Sequence, residues 1–172
     1  FGCLYCYATF AEVLGRPVLP DDQVLALVRL LAQRHTKVTL AGGEPTLYPH
    51  LADLLAVIKA EGALTNVVTN GSRINAGWIE RNADNLDFLT LSIDSAEPAT
   101  HRKLGRASRS GATLPAQHYI DLADAARVAG VGIKVNTVVT TVNAGESLAE
   151  PIARLNPQRW KILQATPVAG QN

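Results

Sequence analysis

The chain has 172 residues, a net charge of +1 at pH 7, 47% hydrophobic residues and 18% charged residues. This composition indicates one globular domain with a sizeable core, and the small net charge excludes a protein that binds polyanions through its overall charge. No apolar run approaches the roughly 18 residues of a membrane span, and no signal peptide opens the sequence.

Short apolar segments alternate along the chain with longer helical patterns. The predicted strands are Lys37–Ala41, Leu64–Thr69, Leu86–Ile93, Val131–Val139 and Arg159–Gln164. The predicted helices are Asp21–Arg34, Tyr48–Ala60, Ala76–Asn82, Pro115–Ala129 and Ser147–Leu155. Gly130 follows the fourth helix where a C-terminal cap is expected. This alternation predicts βαβ units and a parallel sheet, either a barrel or a doubly wound sheet.

Polar residues recur at every second position in three of the predicted strands. They are Thr90, Ser92 and Asp94, then Lys134 and Asn136, then Arg159 and Lys161. Residues two apart share one face of a strand, and apolar residues occupy the other face. A polar inner face and an apolar outer face favour a barrel whose lumen holds a polar ligand. The alternative is an antiparallel sheet with one face in water, but the intervening helices argue against it.

Both cysteines of the chain lie in the motif Cys3-Leu4-Tyr5-Cys6. This spacing suits a metal ion, an iron–sulfur cluster or a redox pair, and all three favour a reducing compartment such as the cytoplasm. A zinc site would need two further ligands, and the four histidines are scattered along the chain.

Small and polar residues follow the first three predicted strands. Gly42-Gly43-Glu44-Pro45 comes directly after the first strand, and its glycines allow a ligand to approach the backbone closely. Thr69-Asn70-Gly71-Ser72 follows the second strand, and Ser92-Ile93-Asp94-Ser95 ends the third. Each segment alone could be a turn or a helix cap. Because barrel active sites form at the carboxyl ends of strands, we expect the segments to meet there.

The cysteine motif and Gly-Gly-Glu-Pro, in this order across one strand, resemble the radical S-adenosylmethionine (SAM) superfamily. The resemblance implies that Cys3 and Cys6 bind a [4Fe–4S] cluster as the second and third cysteines of C-x-x-x-C-x-x-C, with the first cysteine before Phe1. It implies that SAM contacts come from Gly42, Gly43, Glu44, Pro45, Asn70, Ser72, Ser92 and Asp94. A radical derived from SAM would perform the chemistry, and no catalytic side chain is identified.

Basic residues form a further group. Arg102, Lys103, Arg106 and Arg109 are predicted to lie in a loop after the third strand, and Lys134, Arg159 and Lys161 are predicted to face the lumen. A buried cation needs a partner, and a triphosphate is rich in acceptors for lysine and arginine. The alternatives are a solvated surface for the loop and ion pairs within the barrel, chiefly with Asp94, for the lysines.

Several segments resemble the viperin-like branch of the superfamily: Thr69–Ser72, Leu104–Arg106, Ile133–Val139 and Asn156–Gln164. This resemblance implies dehydration of a nucleoside triphosphate to its 3′-deoxy-3′,4′-didehydro form, which is an antiviral chain terminator. By resemblance, Arg106, Lys134 and Lys161 would bind phosphates, and Asn136 and Arg159 would line the nucleotide site. The run Tyr7–Phe10 departs from the animal proteins and indicates a prokaryotic relative.

We therefore expect an α/β fold, a partial (β/α)6 TIM-like barrel truncated at both ends, with residues 1–172 forming one incomplete core domain. The expected partners are a nucleoside triphosphate and an electron donor of the flavodoxin or ferredoxin type, without nucleic acid. We expect the first strand, the first cluster cysteine and the closing C-terminal segment to lie outside this sequence, which alone would be inactive and hold no stable cluster. The alternatives are a peptide maturase or molybdopterin-precursor type of radical SAM enzyme, and a non-catalytic zinc or electron-transfer module.

Overall fold

The computed structural model of the chain describes residues 2–6 and 19–169. Within these residues one sheet contains the strands β1 (Lys37–Leu40), β2 (Leu64–Thr69), β3 (Phe88–Ser92), β4 (Gly132–Val139) and β5 (Arg159–Gln164). The helices are α1 (Asp21–Arg34), α2 (Leu51–Ala60), α3 (Ala76–Asn82), α4 (Pro98–Lys103), α5 (Ala116–Val128) and α6 (Ala149–Leu155). The segment Tyr7–Phe10 lies outside the described residues.

All neighbouring strands are parallel, and their order in the sheet, β1-β2-β3-β4-β5, follows the chain. A doubly wound sheet reverses its strand order at a switch point, and no reversal occurs among the described strands. The doubly wound and antiparallel alternatives are therefore wrong, and the predicted partial barrel is confirmed.

The core lies between the apolar face of the sheet and the helices. In β4, Ile133 and Val135 are buried, whereas Lys134 and Asn136, which point to the opposite face, are half-buried. The largest buried cluster joins strand residues such as Leu89 and Val135 to residues of α2, α3, α5 and α6. Burial of these apolar side chains supplies the main driving force for folding, and it fixes which face of each strand packs against the helices.

The structure differs from the predicted elements chiefly at their ends. Helix α2 begins at Leu51 rather than Tyr48, because Tyr48 precedes Pro49 and is extended, with φ −76° and ψ 120°. Pro45–Leu47 form a separate 3-10 turn before it. Gly130 adopts a φ of +74° directly after α5 and its C-cap, as a terminating glycine does.

Helix α4 (Pro98–Lys103) was not predicted. Arg102 and Lys103 lie in its last turn and not in a loop as expected, whereas Arg106 and Arg109 follow it. Proline suits the first position of a helix, where a backbone N–H would have no acceptor within the helix. The six residues of α4 are too few to show a hydrophobic period in the sequence.

Within residues 2–6 and 19–169, every helix is too short or too polar to cross a membrane.

Candidate active site

The predicted SAM segments meet at the carboxyl edge of the sheet because β1, β2 and β3 run parallel. Glu44, after β1, accepts hydrogen bonds through Oε1 from the Thr69 hydroxyl at 2.7 Å and through Oε2 from the Asn70 N–H at 2.8 Å. It also accepts bonds from the hydroxyl and N–H of Thr46, at 2.6 and 3.2 Å. One carboxylate thus joins the Gly-Gly-Glu-Pro loop to the turn after β2.

Two glycines of these loops occupy conformations that favour glycine. Gly42 has a φ of +142°, with open space where a side chain would begin, so its backbone is accessible to a ligand. Gly71 has a φ of +80°, and an added Cβ would lie 3.3 Å from the Tyr119 ring. The Asn70 side chain accepts a bond from the N–H of Ser72 at 2.8 Å, which orders this turn.

The cysteine loop, defined as residues 2–6, lies against the segment after α4. The N–H of Gly2 donates to Gly105 O, and the N–H of Leu4 donates to Leu104 O, both at 3.1 Å. An added Cβ at Gly105, which has a φ of +72°, would collide with the Gly2 carbonyl oxygen. The conformational freedom of Gly105 is therefore used to dock the cysteine loop.

The thiols of the loop suit an iron–sulfur cluster. Cys3 and Cys6 are free and half-buried, and the N–H of Cys6 donates to Cys3 O at 3.2 Å, so both thiols lie on one tight turn. This donor set fits two of the three cysteines that the resemblance implies. Among the described residues, no group of three or more His, Cys, Asp and Glu side chains could hold a metal ion.

Asp94 and Arg106 form a buried ion pair beneath the cysteine loop. Arg106 Nη1 lies 2.8 Å from Asp94 Oδ2, and the two side chains are 4% and 1% exposed. Asp94 also accepts the N–H of Val138 at 2.6 Å and the phenol of Tyr5, while Arg106 donates to Ser92 O at 2.6 Å. Burial is the largest single effect and acts to lower the pKa of Arg106, but Asp94 together with Tyr5, Tyr119 and Cys3 raises it, and the net pKa is raised.

A buried histidine lies close to this pair. His101, on α4, is 2% exposed, and its Nδ1 has no hydrogen-bond partner among the described residues. Burial lowers the pKa of His101, and Arg106 lowers it further, whereas Asp94 and Glu146 oppose the shift. The net lowering of the His101 pKa favours the neutral imidazole.

A second group lies on the inner face of the sheet, around a cavity of about 160 Å³. We define the inner face by the polar residues that line this cavity: Lys37, Thr39, Asn66, Thr90, Lys134, Asn136, Arg159 and Lys161. No carboxylate is present among the described residues that line it, and none lies within ion-pair distance of these lysines and Arg159 in the part of the chain that the structure describes. The inner face is therefore strongly electropositive.

Neighbouring side chains fix this face. The Asn66 amide donates to Thr39 Oγ1 at 3.3 Å and accepts the Thr90 hydroxyl at 2.8 Å, which links three strands. Lys134 Nζ lies 3.2 Å from the centroid of the Phe88 ring. Burial lowers the pKa of Lys134, and Lys37 and Arg159 lower it further, as expected where like charges meet without a counter-ion.

The structure brings together most, but not all, of the predicted substrate residues. Lys134, Asn136, Arg159 and Lys161 line one cavity, whereas Arg106 is not among its lining residues. Contact of Arg106 with phosphate stays a prediction, as do the SAM contacts of Ser92 and Asp94.

Sequence reasoning missed Lys37 on the inner face and the contact of Lys134 with the Phe88 ring. The alternation of Lys37-Val38-Thr39-Leu40 could have revealed Lys37, because Val38 is buried on the opposite face.

The chain is similar in sequence to known proteins. A protein-family model, that of the radical SAM superfamily, matches residues 1–153 of the chain. A curated S-adenosylmethionine-dependent nucleotide dehydratase of Lacinutrix mariniflava is 41% identical over 99% of this chain and 37% of its own length. Another, from Flammeovirga pacifica, is 37% identical over 99% of this chain and 60% of its own length. The chain thus spans less than two thirds of the length of either relative.

Solved structures share the fold. Streptococcus suis SuiB bound to S-adenosylmethionine superimposes with a TM-score of 0.76 at 21% identity, over 98% of this chain and 39% of that one. The structure of anSMEcpe with bound AdoMet and a peptide superimposes with a TM-score of 0.71 at 16% identity, over 95% of this chain and 47% of that one.

The superfamily match confirms the predicted cofactors, a [4Fe–4S] cluster and SAM, because both are characteristic of this family. Because the family sequence model covers most of the chain, this chain belongs to the radical SAM superfamily.

Proposed function

We propose that this chain forms the core of a radical SAM enzyme that removes water from a nucleoside triphosphate, giving its 3′-deoxy-3′,4′-didehydro form. The observation that carries the proposal is the inner face, where lysine and arginine side chains surround a cavity without a carboxylate among its described lining residues. The curated relatives are themselves nucleotide dehydratases. A polyphosphate supplies the negative charge that this face lacks, and charge-assisted hydrogen bonds favour it.

The positions of the polar residues along β4 and β5 indicate the direction in which the substrate lies in the cavity. Lys134 pairs with Arg159 in the β4–β5 register, and Asn136 pairs with Lys161 two residues closer to the carboxyl edge. Two residues of strand correspond to about 6.6 Å. We place the terminal phosphates at the level of Lys134 and Arg159, together with Lys37, whose charge acts on Lys134. The ribose then lies near Asn136, on the side of the SAM loops.

The overall chemistry must balance in atoms and electrons. When bound, the cluster would supply the electron that cleaves SAM to methionine and the 5′-deoxyadenosyl radical. The substrate would lose the hydrogen atom of C4′ to that radical and the 3′-hydroxyl as hydroxide, which a proton would convert to water. Ejection of hydroxide requires a second electron. Each turnover therefore takes two electrons and one proton from outside, and an electron donor of the flavodoxin or ferredoxin type in the cytoplasm fits this need.

The chain's own residues bind the substrate and hold it in one orientation. Lysine and Arg159 side chains neutralise the phosphates, while the Thr39–Asn66–Thr90 hydrogen bonds hold the floor of the cavity in one arrangement. A rigid floor keeps the ribose at a fixed distance from the SAM loops, and such positioning is a large source of rate acceleration.

The test uses the full-length protein, reconstituted anaerobically and incubated with SAM, dithionite and each of the common ribonucleoside triphosphates in turn. Mass spectrometry follows 5′-deoxyadenosine and any triphosphate lighter by one water. We expect one nucleotide to stimulate SAM cleavage and to lose water. Formation of 5′-deoxyadenosine without any change in a nucleotide would refute the proposed substrate class and leave the superfamily assignment intact.

A further inference from the structure

The buried ion pair of Asp94 and Arg106 is the most unusual feature outside the inner face. Both side chains are almost completely buried, and their closest polar atoms lie 2.8 Å apart. Desolvation makes such a pair costly, and well-packed apolar residues often serve stability equally well. The pair therefore calls for a role beyond holding the fold together.

Both Asp94 and Arg106 contact the cysteine loop. The Tyr5 phenol, between the two cysteines, donates to Asp94 Oδ2 and lies 3.3 Å from Arg106 Nη1. The same Arg106 nitrogen points at Cys3 Sγ from 4.0 Å. Arg106 also donates a hydrogen bond to Ser92 O, and Asp94 also accepts one from the N–H of Val138. The loop thus rests on a charged support that is fixed to the ends of β3 and β4.

The support also reaches the SAM loops. Burial raises the pKa of Tyr119 on α5, while the charge of Arg106 and a hydrogen bond between the two side chains oppose the rise. The Tyr119 hydroxyl donates to Asn70 O at 3.3 Å, and the Asn70 N–H donates to Glu44. A continuous series of contacts therefore runs from the cysteine loop to the Gly-Gly-Glu-Pro loop.

We propose that Asp94 and Arg106 are positioning residues for the iron–sulfur cluster, which hold the cysteine loop in place and direct an N–H donor at the Cys3 sulfur. A thiolate ligand accepts such a bond more strongly than a thiol does. Because hydrogen bonds to cluster sulfurs set the reduction potential, the Arg106 donor raises the potential and makes the cluster easier to reduce. This inference depends on the superfamily assignment and is independent of the substrate proposed above.

The experiment uses the full-length, reconstituted protein without SAM or nucleotide. Arg106→Lys keeps the charge but loses the forked donor geometry, and Tyr5→Phe removes the phenol while keeping the ring. Arg102→Lys, on the exposed surface of α4, is the matched control. The measurements are the midpoint potential of the cluster, by redox titration followed by electron paramagnetic resonance, and the rate of iron release to a chelator.

We expect Arg106→Lys to lower the midpoint potential and to speed iron release by about tenfold or more, a typical effect of residues that support metal ligands. Tyr5→Phe should speed iron release with a smaller shift in potential, and Arg102→Lys should match the wild type. Should Arg106→Lys fail to fold, as judged by circular dichroism of the apoprotein, Tyr5→Phe decides the test.

Unchanged potential and iron release in the folded variants would overturn the inference. If Arg106→Lys leaves both cluster properties unchanged but weakens nucleotide binding in a separate dialysis measurement, the inference is also overturned, because Arg106 would then be a phosphate ligand. Since the cluster is measured without substrate, failure of this inference is distinct from failure of the proposed dehydratase activity.

Discussion

Replacing Lys134 by methionine separates a substrate role from a structural one. The side chain is held over the Phe88 ring and has its pKa lowered by burial and by Lys37 and Arg159. Methionine is similar in length and keeps a favourable contact, because a sulfur–aromatic contact contributes about 0.3–1.5 kcal/mol, close to the roughly 0.5–1 kcal/mol of an exposed cation–π contact. Removing the charge also relieves repulsion by Lys37 and Arg159.

Stability and binding should therefore respond differently. We expect the free energy of unfolding to change by about 0.5 kcal/mol or less. A hydrogen bond to a charged group contributes about 1.5–3 kcal/mol, so nucleotide affinity should fall by about 10- to 100-fold. Urea unfolding of the apoprotein gives the first quantity, and equilibrium dialysis of radiolabelled nucleoside triphosphates gives the second.

The matched control is Lys103→Met, which removes the same charge from the exposed end of α4. Its nucleotide affinity and stability should equal those of the wild type. The reasoning is refuted if Lys134→Met destabilises the protein strongly while nucleotide affinity is unchanged, because the lysine would then serve the fold and not an anion.

Three further predictions address the buried histidine, the docking of the cysteine loop at Gly105, and Glu44 after β1. Because the pKa of His101 is lowered in the folded state, the unfolded state binds more protons below pH 6.5, and the free energy of unfolding should fall on acidification by at most about 1.4 kcal/mol per pH unit. Urea unfolding at several pH values should show a weaker fall in His101→Gln. The exposed control His35→Gln should show the same fall as the wild type. Gly105→Ala should lose the cluster in an iron assay, whereas Gly130→Ala, with a similar φ but open space, should keep it and lose only about 1–2 kcal/mol of unfolding free energy; equal iron contents would contradict the docking role. Glu44→Gln leaves one of the donors around the carboxylate without its acceptor, at a cost of about 1–3 kcal/mol, and SAM affinity measured by dialysis should fall by about tenfold or more; unchanged affinity would remove Glu44 from the SAM site.

The architecture could be predicted well from the sequence because it rests on local periodicity. Alternation in Ile133–Val139 identified both the buried face and the inner face of β4, and the structure agrees. Parallel strands place their carboxyl ends together, so the order of Gly42–Pro45 and Thr69–Ser72 along the chain was enough to predict their proximity. Helix α4 escaped detection because six residues that start at Pro98 carry no measurable period.

The sequence by itself determined the strands, all of the described helices except α4, the inner face and the superfamily motifs, because each depends on residues close together in the chain. The tertiary structure decided which charged groups meet. Arg106 and Tyr5 are 101 residues apart in sequence, and Asp94 and Val138 are 44 apart. Such contacts arise from the way loops fold back at the carboxyl edge of the sheet. No local pattern showed that Arg106 is buried against Asp94 beneath the cysteine loop, or that Lys37 joins Lys134 and Arg159 across the lumen.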